Sequence, residues 1–371
     1  MSFAGPANPA DAADWLRLIR SDNVGPATFF ALLSRFGSAA AALAALPAIA
    51  ERGGARRPIR CAGAGEVERE MARAARLDAR HIFFGTADYP ARLSHIHAPP
   101  PVIMVRGEAG VLSRRPLAIV GARKASAAGR TLAGNFAAAF GTAGRVVVSG
   151  LALGIDTAAH RGALSTGTVA VVAGGVDRPT PEDNIPLAEE IIAAGGAVVS
   201  EMPLGMMPYA RDYPRRNRLI SGLSDAVVVV EAAQRSGALH TARFAGNENR
   251  EVFALPGSPL DPRAAGCLQL LREGATLAVD PRDVLDAVAD WAAPGPPAGL
   301  AEPAAPAMTE PGAAVIAAVA EALSLSPVSV DLLARATGLA PGAVAAAVVE
   351  LEVAGRAHRE LDGTVRAALD G

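Results

Sequence analysis

A short turn in the middle of the chain combines glycine with two cationic side chains. The turn Gly121-Ala122-Arg123-Lys124 follows an apolar run and precedes a predicted helix that begins near Ser126. Because N–H groups and the dipole of a helix N-terminus favour anions, this turn predicts a phosphate-binding site. The glycine pattern of dinucleotide-binding loops and the Gly-Lys-Ser/Thr end of a P-loop are both absent, so neither NAD nor a magnesium nucleotide is favoured. The alternative is that both cations are solvated loop charges.

A second glycine-rich turn, Ser149-Gly150-Leu151-Ala152-Leu153-Gly154, leads into the segment Ile155–His160. Asp156 is suited to cap the helix that starts there. A hydrolase built from Ser149, Asp156 and His160 is conceivable, but the Gly-x-Ser-x-Gly pattern that exposes such a serine is missing. Asp156 and His160 also lack a third metal ligand nearby. We therefore predict no catalytic residue, no metal and no cofactor.

A third segment, residues 209–218, is the most basic stretch of the chain. Its ten residues contain four arginines and two tyrosines: Tyr209, Arg211, Tyr213, Arg215, Arg216 and Arg218. Guanidinium groups bind phosphates and aromatic rings stack on unpaired bases, so this mixture favours single-stranded nucleic acid. The alternative is a loop in which some of the arginines pair with Asp212 and with backbone carbonyl groups.

Alternating strands and helices between residues 111 and 290 must position these three segments. The predicted strands are Leu117–Val120, Arg145–Ser149, Val169–Ala173, Ala197–Ser200, Ala226–Glu231 and Val252–Leu255. Apolar strands alternating with helices are typical of a mostly parallel, doubly wound α/β sheet of the extended Rossmann-like type. Ligands of such sheets bind at the carboxyl ends of the strands, where the glycine turns lie.

Smaller modules are predicted on both sides of the sheet. Residues 1–80 are predicted to form a helical module whose Asn23-Val24-Gly25-Pro26 turn resembles helix-hairpin-helix and SAM-like folds, or is simply a turn in a helical bundle. We expect the sheet domain to span residues 81–291, followed by a Pro/Ala-rich linker at 292–312 and a winged-helix domain at 313–371. Its third helix, 341–351, has no Arg, Lys, Asn or Gln, which predicts a protein contact or structural role instead of base reading.

Composition limits the class of protein. Net charge is −2 with a pI near 6.3, so a nucleic-acid site has to be a local patch. Hydrophobic residues make up 51% of the chain, yet no run reaches the roughly 18–20 apolar residues that a membrane span needs. Cys61 and Cys267 are the only cysteines, which fits a reducing compartment. With no visible secretory signal, we expect a cytoplasmic protein without a membrane partner.

Several motifs in a fixed order resemble the DprA/Smf family. The resemblance runs from Asp88-Tyr89-Pro90 to Arg272-Glu273-Gly274-Ala275, about half the chain, and includes Ser149-Gly150-Leu151-Ala152, Pro214 to Ser224 and Pro256-Gly257. It implies a non-catalytic protein that binds single-stranded DNA in a basic pocket, forms a homodimer through the Rossmann domain, and protects incoming DNA and loads the recombinase RecA in natural transformation. The DNA contacts that it implies fall on Gly121, Arg123, Ser149, Gly150, Gly154, Asn217 and Arg218, with Lys124, Arg211 and Arg216 as further candidates.

The chain departs from the family pattern at three places. Ala122 stands where a hydroxyl residue is expected, Thr180-Pro181 replaces Tyr-Pro, and Leu268 replaces an asparagine. The last change favours a packing role for residues 266–278, for example at a dimer interface.

Two other functions remain open from the residues alone. One is a Rossmann-type nucleotide phosphoribohydrolase, which Gly174-Gly175 and Pro256-Gly257 faintly suggest although the expected glycine-rich loop does not follow. The other is a transcription regulator with a winged-helix reader, which the uncharged third helix disfavours.

Overall fold

The amino-terminal part of the chain folds into four helices that pack around aromatic side chains. The structure is a computed structural model and describes residues 3–291 and 310–368. The helices are α1 (Pro9–Ile19), α2 (Pro26–Phe36), α3 (Ala39–Arg52) and α4 (Ala64–Arg76). Trp15 and Phe29 contact each other with ring centroids 5.0 Å apart, and Asn8 caps α1 by accepting the N–H groups of Ala10 and Asp11. We call residues 9–76 the helical module.

A nine-stranded sheet forms the centre of the molecule. Its strands are β1 (Ala79–Phe83), β2 (Val102–Gly107), β3 (Pro116–Val120), β4 (Val146–Ser149), β5 (Thr168–Val171), β6 (Ala197–Ser200), β7 (Ala226–Val229), β8 (Glu251–Ala254) and β9 (Thr276–Leu277). They lie in the order β1-β2-β6-β5-β4-β3-β7-β8-β9. The strands from β3 to β9 pair in parallel, whereas β2 runs antiparallel to both β6 and β1.

Helices cover both faces of the parallel strands. They are α5 (Ala127–Thr142), α6 (Ile155–Ala163), α7 (Ile185–Ala193), α8 (Asp212–Leu223), α9 (Ala238–Asn247), α10 (Ala265–Arg272) and α11 (Pro281–Ala287). Alternate residues of β3 enter separate cores, Leu117 and Ile119 on one face and Ala118 and Val120 on the other. Burial on both faces explains why the central strands are mostly apolar.

The carboxyl-terminal residues form a winged helix. It contains α12 (Ala313–Ala322), α13 (Val330–Thr337), α14 (Pro341–Val353) and a hairpin of β10 (Ala357–Arg359) and β11 (Val365–Ala367). Gly363 has a φ of +86° at the tip of this hairpin, a backbone conformation that favours glycine. The predicted linker at 292–312 lies outside the described residues except for 310–312.

Buried charge pairs dock the winged helix onto the helical module. Glu350 of α14 is fully buried, and its Oε1 lies 3.0 Å from Nη1 of Arg35 and 2.9 Å from Nη2 of Arg52. Glu352 accepts a hydrogen bond from the Thr28 hydroxyl at 3.3 Å, and the Asn23 side-chain amide donates to the Val353 carbonyl at 3.1 Å. The helix that reads bases in many winged-helix proteins is therefore occupied by a contact within this chain.

The predicted fold class is confirmed. All six predicted parallel strands are present within one or two residues of their expected ends, and so are the helical module and the winged helix. The antiparallel strands β1 and β2 and the short edge strand β9 were not predicted. Among the described residues, no single helix is long and apolar enough to cross a membrane, and two consecutive pairs reach that length only when joined across bends of 105° and 113°.

Replacing Glu350 with glutamine should loosen the docked winged helix. The substitution leaves two guanidinium groups facing a neutral amide, and breaking a buried ion pair costs about 3 kcal/mol or more. Urea unfolding of the full chain should show a lower midpoint for Glu350→Gln than for the wild type. Glu321→Gln, an exposed change on α12, is the matched control. Equal midpoints for both variants and the wild type would contradict the role assigned to Glu350.

Candidate nucleic-acid interface

The strand order of the sheet reverses at β3. Its connection to β4 leads to one side, whereas β7 pairs with its other edge. In doubly wound sheets this arrangement opens a crevice at the carboxyl ends of the two strands where the order reverses. The turn after β3 contains Gly121, Arg123 and Lys124, and the turn after β7 begins near Glu231.

The turn after β3 presents its two cations to solvent. Arg123 and Lys124 are exposed, and the Arg123 guanidinium lies 5.4 Å from the centre of the Tyr213 ring. A Cβ on Gly121 would come within 2.7 Å of the Ile155 side chain and 2.9 Å of the Glu231 carbonyl oxygen, so only glycine fits between them. The turn is thus packed on its inner side and free on its outer side.

A carboxylate already occupies the start of α5. The Ser126 N–H donates to Glu231 Oε2 at 2.9 Å, and the Ser126 hydroxyl both donates to Glu231 and accepts the Gly129 N–H. The expectation that this helix N-terminus points its N–H groups at a bound phosphate is therefore wrong. Because the helix dipole is matched by Glu231, anion binding here falls to the side chains of Arg123 and Lys124.

The second glycine-rich turn, which follows β4, is held by hydrogen bonds to buried side chains. Ser149 is fully buried and its hydroxyl donates to the Ile119 carbonyl at 2.6 Å. Asp156 accepts the N–H groups of Gly150 and Ala152 at 3.1 and 3.3 Å, so it caps this turn and is not the N-cap of α6, a position held by Gly154. Burial raises the pKa of Asp156 to about 6, although neighbouring groups oppose the change.

His160 has a separate buried partner. Its Nδ1 lies 2.7 Å from the Thr168 hydroxyl, and its Nε2 has no hydrogen-bond partner within residues 3–291 and 310–368. Burial, with a smaller contribution from Arg216, lowers the pKa of His160 to about 3, so the ring is neutral at neutral pH. The Ser149 hydroxyl donates to the Ile119 carbonyl and lies beside Asp156, whereas His160 is bonded to Thr168. His160 therefore links to neither Ser149 nor Asp156, and the three side chains do not form a Ser-His-Asp relay.

Helix α8 carries most of the basic segment and buries two of its four arginines, Arg216 and Arg218. Arg216 is buried, and its Nη1 donates to the carbonyl groups of Gly150 and Val171 at the ends of β4 and β5. Asn217 donates to the Gly237 carbonyl at 3.2 Å. Arg218 pairs with Glu201 and donates to the Ala98 carbonyl at 2.9 Å.

The outward part of the segment lies before and at the start of α8. Tyr209 is 67% exposed, and the Arg211 guanidinium lies 5.4 Å from its ring centre. Asp212 is buried and accepts the Tyr209 N–H at 2.8 Å, which fixes the loop where it enters the helix. Tyr213 follows and contacts Arg123, so the basic loop and the turn after β3 meet at this ring.

The structure therefore sorts the ten predicted contact residues into two groups. Six of them lie in the turns at the carboxyl edge of the sheet or in the loop before α8: Gly121, Arg123, Lys124, Gly150, Gly154 and Arg211. The other four have hydrogen-bond or ion-pair partners inside the protein: Ser149, Arg216, Asn217 and Arg218. Contact with DNA stays a prediction for all ten. Sequence reasoning missed Glu231, although a carboxylate directly after a central strand was a visible signal.

Comparison with known proteins identifies the family to which the chain belongs. Residues 80–289 match the family model described as DNA recombination-mediator protein A, residues 9–73 match a DprA-like N-terminal HHH domain, and residues 302–363 match a DprA winged helix domain. The chain belongs to the DprA/Smf family. The helix-hairpin-helix interpretation of the helical module is confirmed by the second of these matches.

Individual members of the DprA/Smf family agree with this assignment. Protein Smf of Escherichia coli K12 is 37% identical over 272 residues, 72% of this chain and 72% of that protein. DNA processing protein DprA of Bacillus subtilis is 37% identical over 208 residues, 55% of this chain and 70% of its own.

Two solved structures of DprA proteins share the fold. The Streptococcus pneumoniae protein matches with a TM-score of 0.55 and 36% identity, covering 65% of this chain and 86% of its own. The Helicobacter pylori protein, whose single-stranded DNA binding mode that structure addresses, matches with a TM-score of 0.53 and 26% identity over 57% of this chain and 96% of its own.

Two of the buried ionisable groups, His160 and Asp156, predict opposite pH effects on stability. His160 has a folded pKa below its ordinary 6.5, so its contribution is present above pH 6.5 and is lost as the pH falls, by about 1.4 kcal/mol per unit. Asp156 has a folded pKa above its ordinary 3.8, so stability falls as pH rises from about 4 to 6. Urea unfolding between pH 4 and 7 should show weaker acid destabilisation in His160→Gln and stronger acid destabilisation in Asp156→Asn. Identical slopes in all three proteins would show that neither group titrates as described.

Proposed function

We propose that this protein binds single-stranded DNA at the carboxyl edge of its sheet and does so without catalysing a reaction. The observation that supports this most directly is the contact of the exposed cation Arg123 with the Tyr213 ring, between the turn after β3 and the start of α8. Cations and rings side by side match the two features of a single strand, a charged backbone and unpaired bases.

The exposed loop before α8 extends this surface. Tyr209 is 67% and Met207 54% exposed, and Arg211 lies over the Tyr209 ring. Large exposed apolar groups beside cations offer faces on which bases stack, and duplex DNA keeps those base faces covered. A preference for single strands follows from this difference.

Two glycines at the sheet edge are required by packing within the protein. Gly150 has no space for a side chain, since a Cβ would lie 2.8 Å from Cζ of Arg216 and 2.9 Å from Oδ2 of Asp156. Gly154 has a φ of +84° and packs against the backbone of Arg123. These glycine turns form the base of the proposed DNA site. Its phosphate contacts are Arg123, Lys124 and Arg211. The buried residues that keep the turns in place are Ser149, Arg216, Asn217 and Arg218.

Family resemblance supports three further roles: the protein protects incoming DNA, loads RecA in natural transformation, and acts in the cytoplasm, where recombination takes place. A surface feature supports a homodimer: apolar side chains are exposed at the edge strand β9, where Leu277 and Val279 are 52% and 62% exposed. An exposed strand edge of this kind favours pairing with a second chain.

Removing the two cations of the turn after β3 should weaken the binding of single-stranded DNA, and the loss should be largest at low salt. Arg123→Ala/Lys124→Ala should lower the slope of log affinity against log salt by about 1 for each DNA phosphate that the variant no longer neutralises. Fluorescence anisotropy with labelled oligo-dT and the matching duplex, at several salt concentrations, measures both slope and strand preference. Arg80→Ala, an exposed arginine on β1, serves as control. Equal affinity for duplex and single strand in the wild type would exclude the proposed function.

Tyr209→Ala tests base stacking separately from charge. Loss of a stacked base costs about 1–3 kcal/mol, so affinity for oligo-dT should fall by roughly 5- to 150-fold. An abasic oligomer of the same length has the backbone without the bases, and its affinity should be unchanged by Tyr209→Ala but reduced by Arg123→Ala. If Tyr209→Ala weakened both oligomers equally, the ring would act on the backbone and the stacking role would be wrong.

A further inference from the structure

A cleft of ≈ 630 Å³ lies at the seam between the helical module and the winged helix. The wall on the helical module is formed by Asp22, Asn23 and residues 55–59, and the opposite wall by the ends of α12 and α14 with residues 355–356 and 367–368. The volume is in the range of sites that hold a small organic ligand, such as a nucleotide. None of the residues proposed above to contact DNA lines this cleft.

The side chains of the cleft carry a positive charge. Arg56, Arg57 and Arg356 line it, and the acidic Asp22 is paired with Arg60, whose Nε lies 3.4 Å from Asp22 Oδ1. Within the described residues, neither Arg57 nor Arg356 has a carboxylate partner. The local charge is opposite to the net charge of −2 for the whole chain.

Helix ends in the cleft reduce this charge without cancelling it. The C-terminal ends of α12 and α14 line the cleft, and each contributes about half a negative charge. Their sum is about −1, against the two guanidinium groups of Arg57 and Arg356. One hydrogen bond of Arg356 already goes to a helix end, since its Nη1 donates to the carbonyl of Gly53, the residue that follows α3, at 3.4 Å. Arg57 is exposed and makes no hydrogen bond to protein in the part of the chain that the structure describes. Its charge is therefore not used to bind the carbonyl groups of a helix end.

We propose that this cleft binds a phosphate group, held by Arg57 and Arg356 from opposite walls. The phosphate belongs either to the backbone of a bound polynucleotide or to a free nucleotide. Because one arginine comes from each module, the site exists only while the Glu350 pairs keep the winged helix docked. The proposal rests on the proposed function only where it names a polynucleotide as one source of the phosphate.

Two measurements on the full chain separate the sources. The first is the thermal unfolding midpoint with dTMP or inorganic phosphate added, in the wild type, Arg57→Ala, Arg57→Ala/Arg356→Ala and Arg69→Ala, a matched exposed arginine on α4 outside the cleft. The second is the salt dependence of affinity for a long oligo-dT in the same proteins. Arg123→Ala is added to both, since it removes a charge at the sheet edge and leaves the cleft intact.

For a polynucleotide, the salt slope for long oligo-dT falls by about 2 in Arg57→Ala/Arg356→Ala and is unchanged in Arg69→Ala. For a free nucleotide, dTMP or phosphate raises the midpoint of the wild type and of Arg123→Ala, and this shift is lost in the cleft variants. Either result supports the site. If the cleft variants match Arg69→Ala in both measurements, the proposal is overturned. If the wild type binds no oligo-dT, the proposed function fails, and the dTMP and phosphate measurements alone decide whether the cleft is a site.

Discussion

The guanidinium of Arg216 is the interaction on which the candidate interface depends. It enters the sheet edge from α8 and binds the carbonyl groups at the ends of β4 and β5, which lie in two separate chain segments. Burial lowers its pKa to about 10, so it remains charged at neutral pH. A buried charge is stable only with partners, and here two carbonyl oxygens and the Asp156 carboxylate provide them.

Several features of the interface follow from that buried charge. Gly150 has no side chain because Arg216 and Asp156 fill the space where its Cβ would lie. Asp156 is retained beside Arg216 and holds the turn after β4 closed. Helix α8 is fixed relative to the strands, and Tyr213, one turn before Arg216, is thereby placed against Arg123. The exposed cations thus stand on a rigid floor, which favours a defined ligand path over a mobile basic loop.

The sequence predicted the sheet well because its central strands are buried on both faces and therefore form unbroken apolar runs. It did not reveal β1, whose residues Ala79–Phe83 mix charged and apolar side chains as an edge strand does. It also could not distinguish the roles of the arginines in residues 209–218. Arg211 is exposed whereas Arg216 and Arg218 are buried, and that difference depends on carbonyl and carboxylate groups from distant segments. The same limit applies to Glu231, whose partner Ser126 lies 105 positions away.

Docking of the winged helix has a consequence for the order in which the chain folds during synthesis. Arg35 and Glu350 are 315 positions apart, and Asn23 and Val353 are 330 apart. Domains fold as they emerge from the ribosome, and at about 5–20 residues per second the helical module would wait roughly 15–60 seconds for α14. During that interval its arginines face solvent or the ribosome, with no buried carboxylate between them. Until α14 arrives, the helical module is therefore held by the apolar cluster around Trp15 and Phe29, which it shares with strands of the sheet, and the docked state is the last part of the native structure to form.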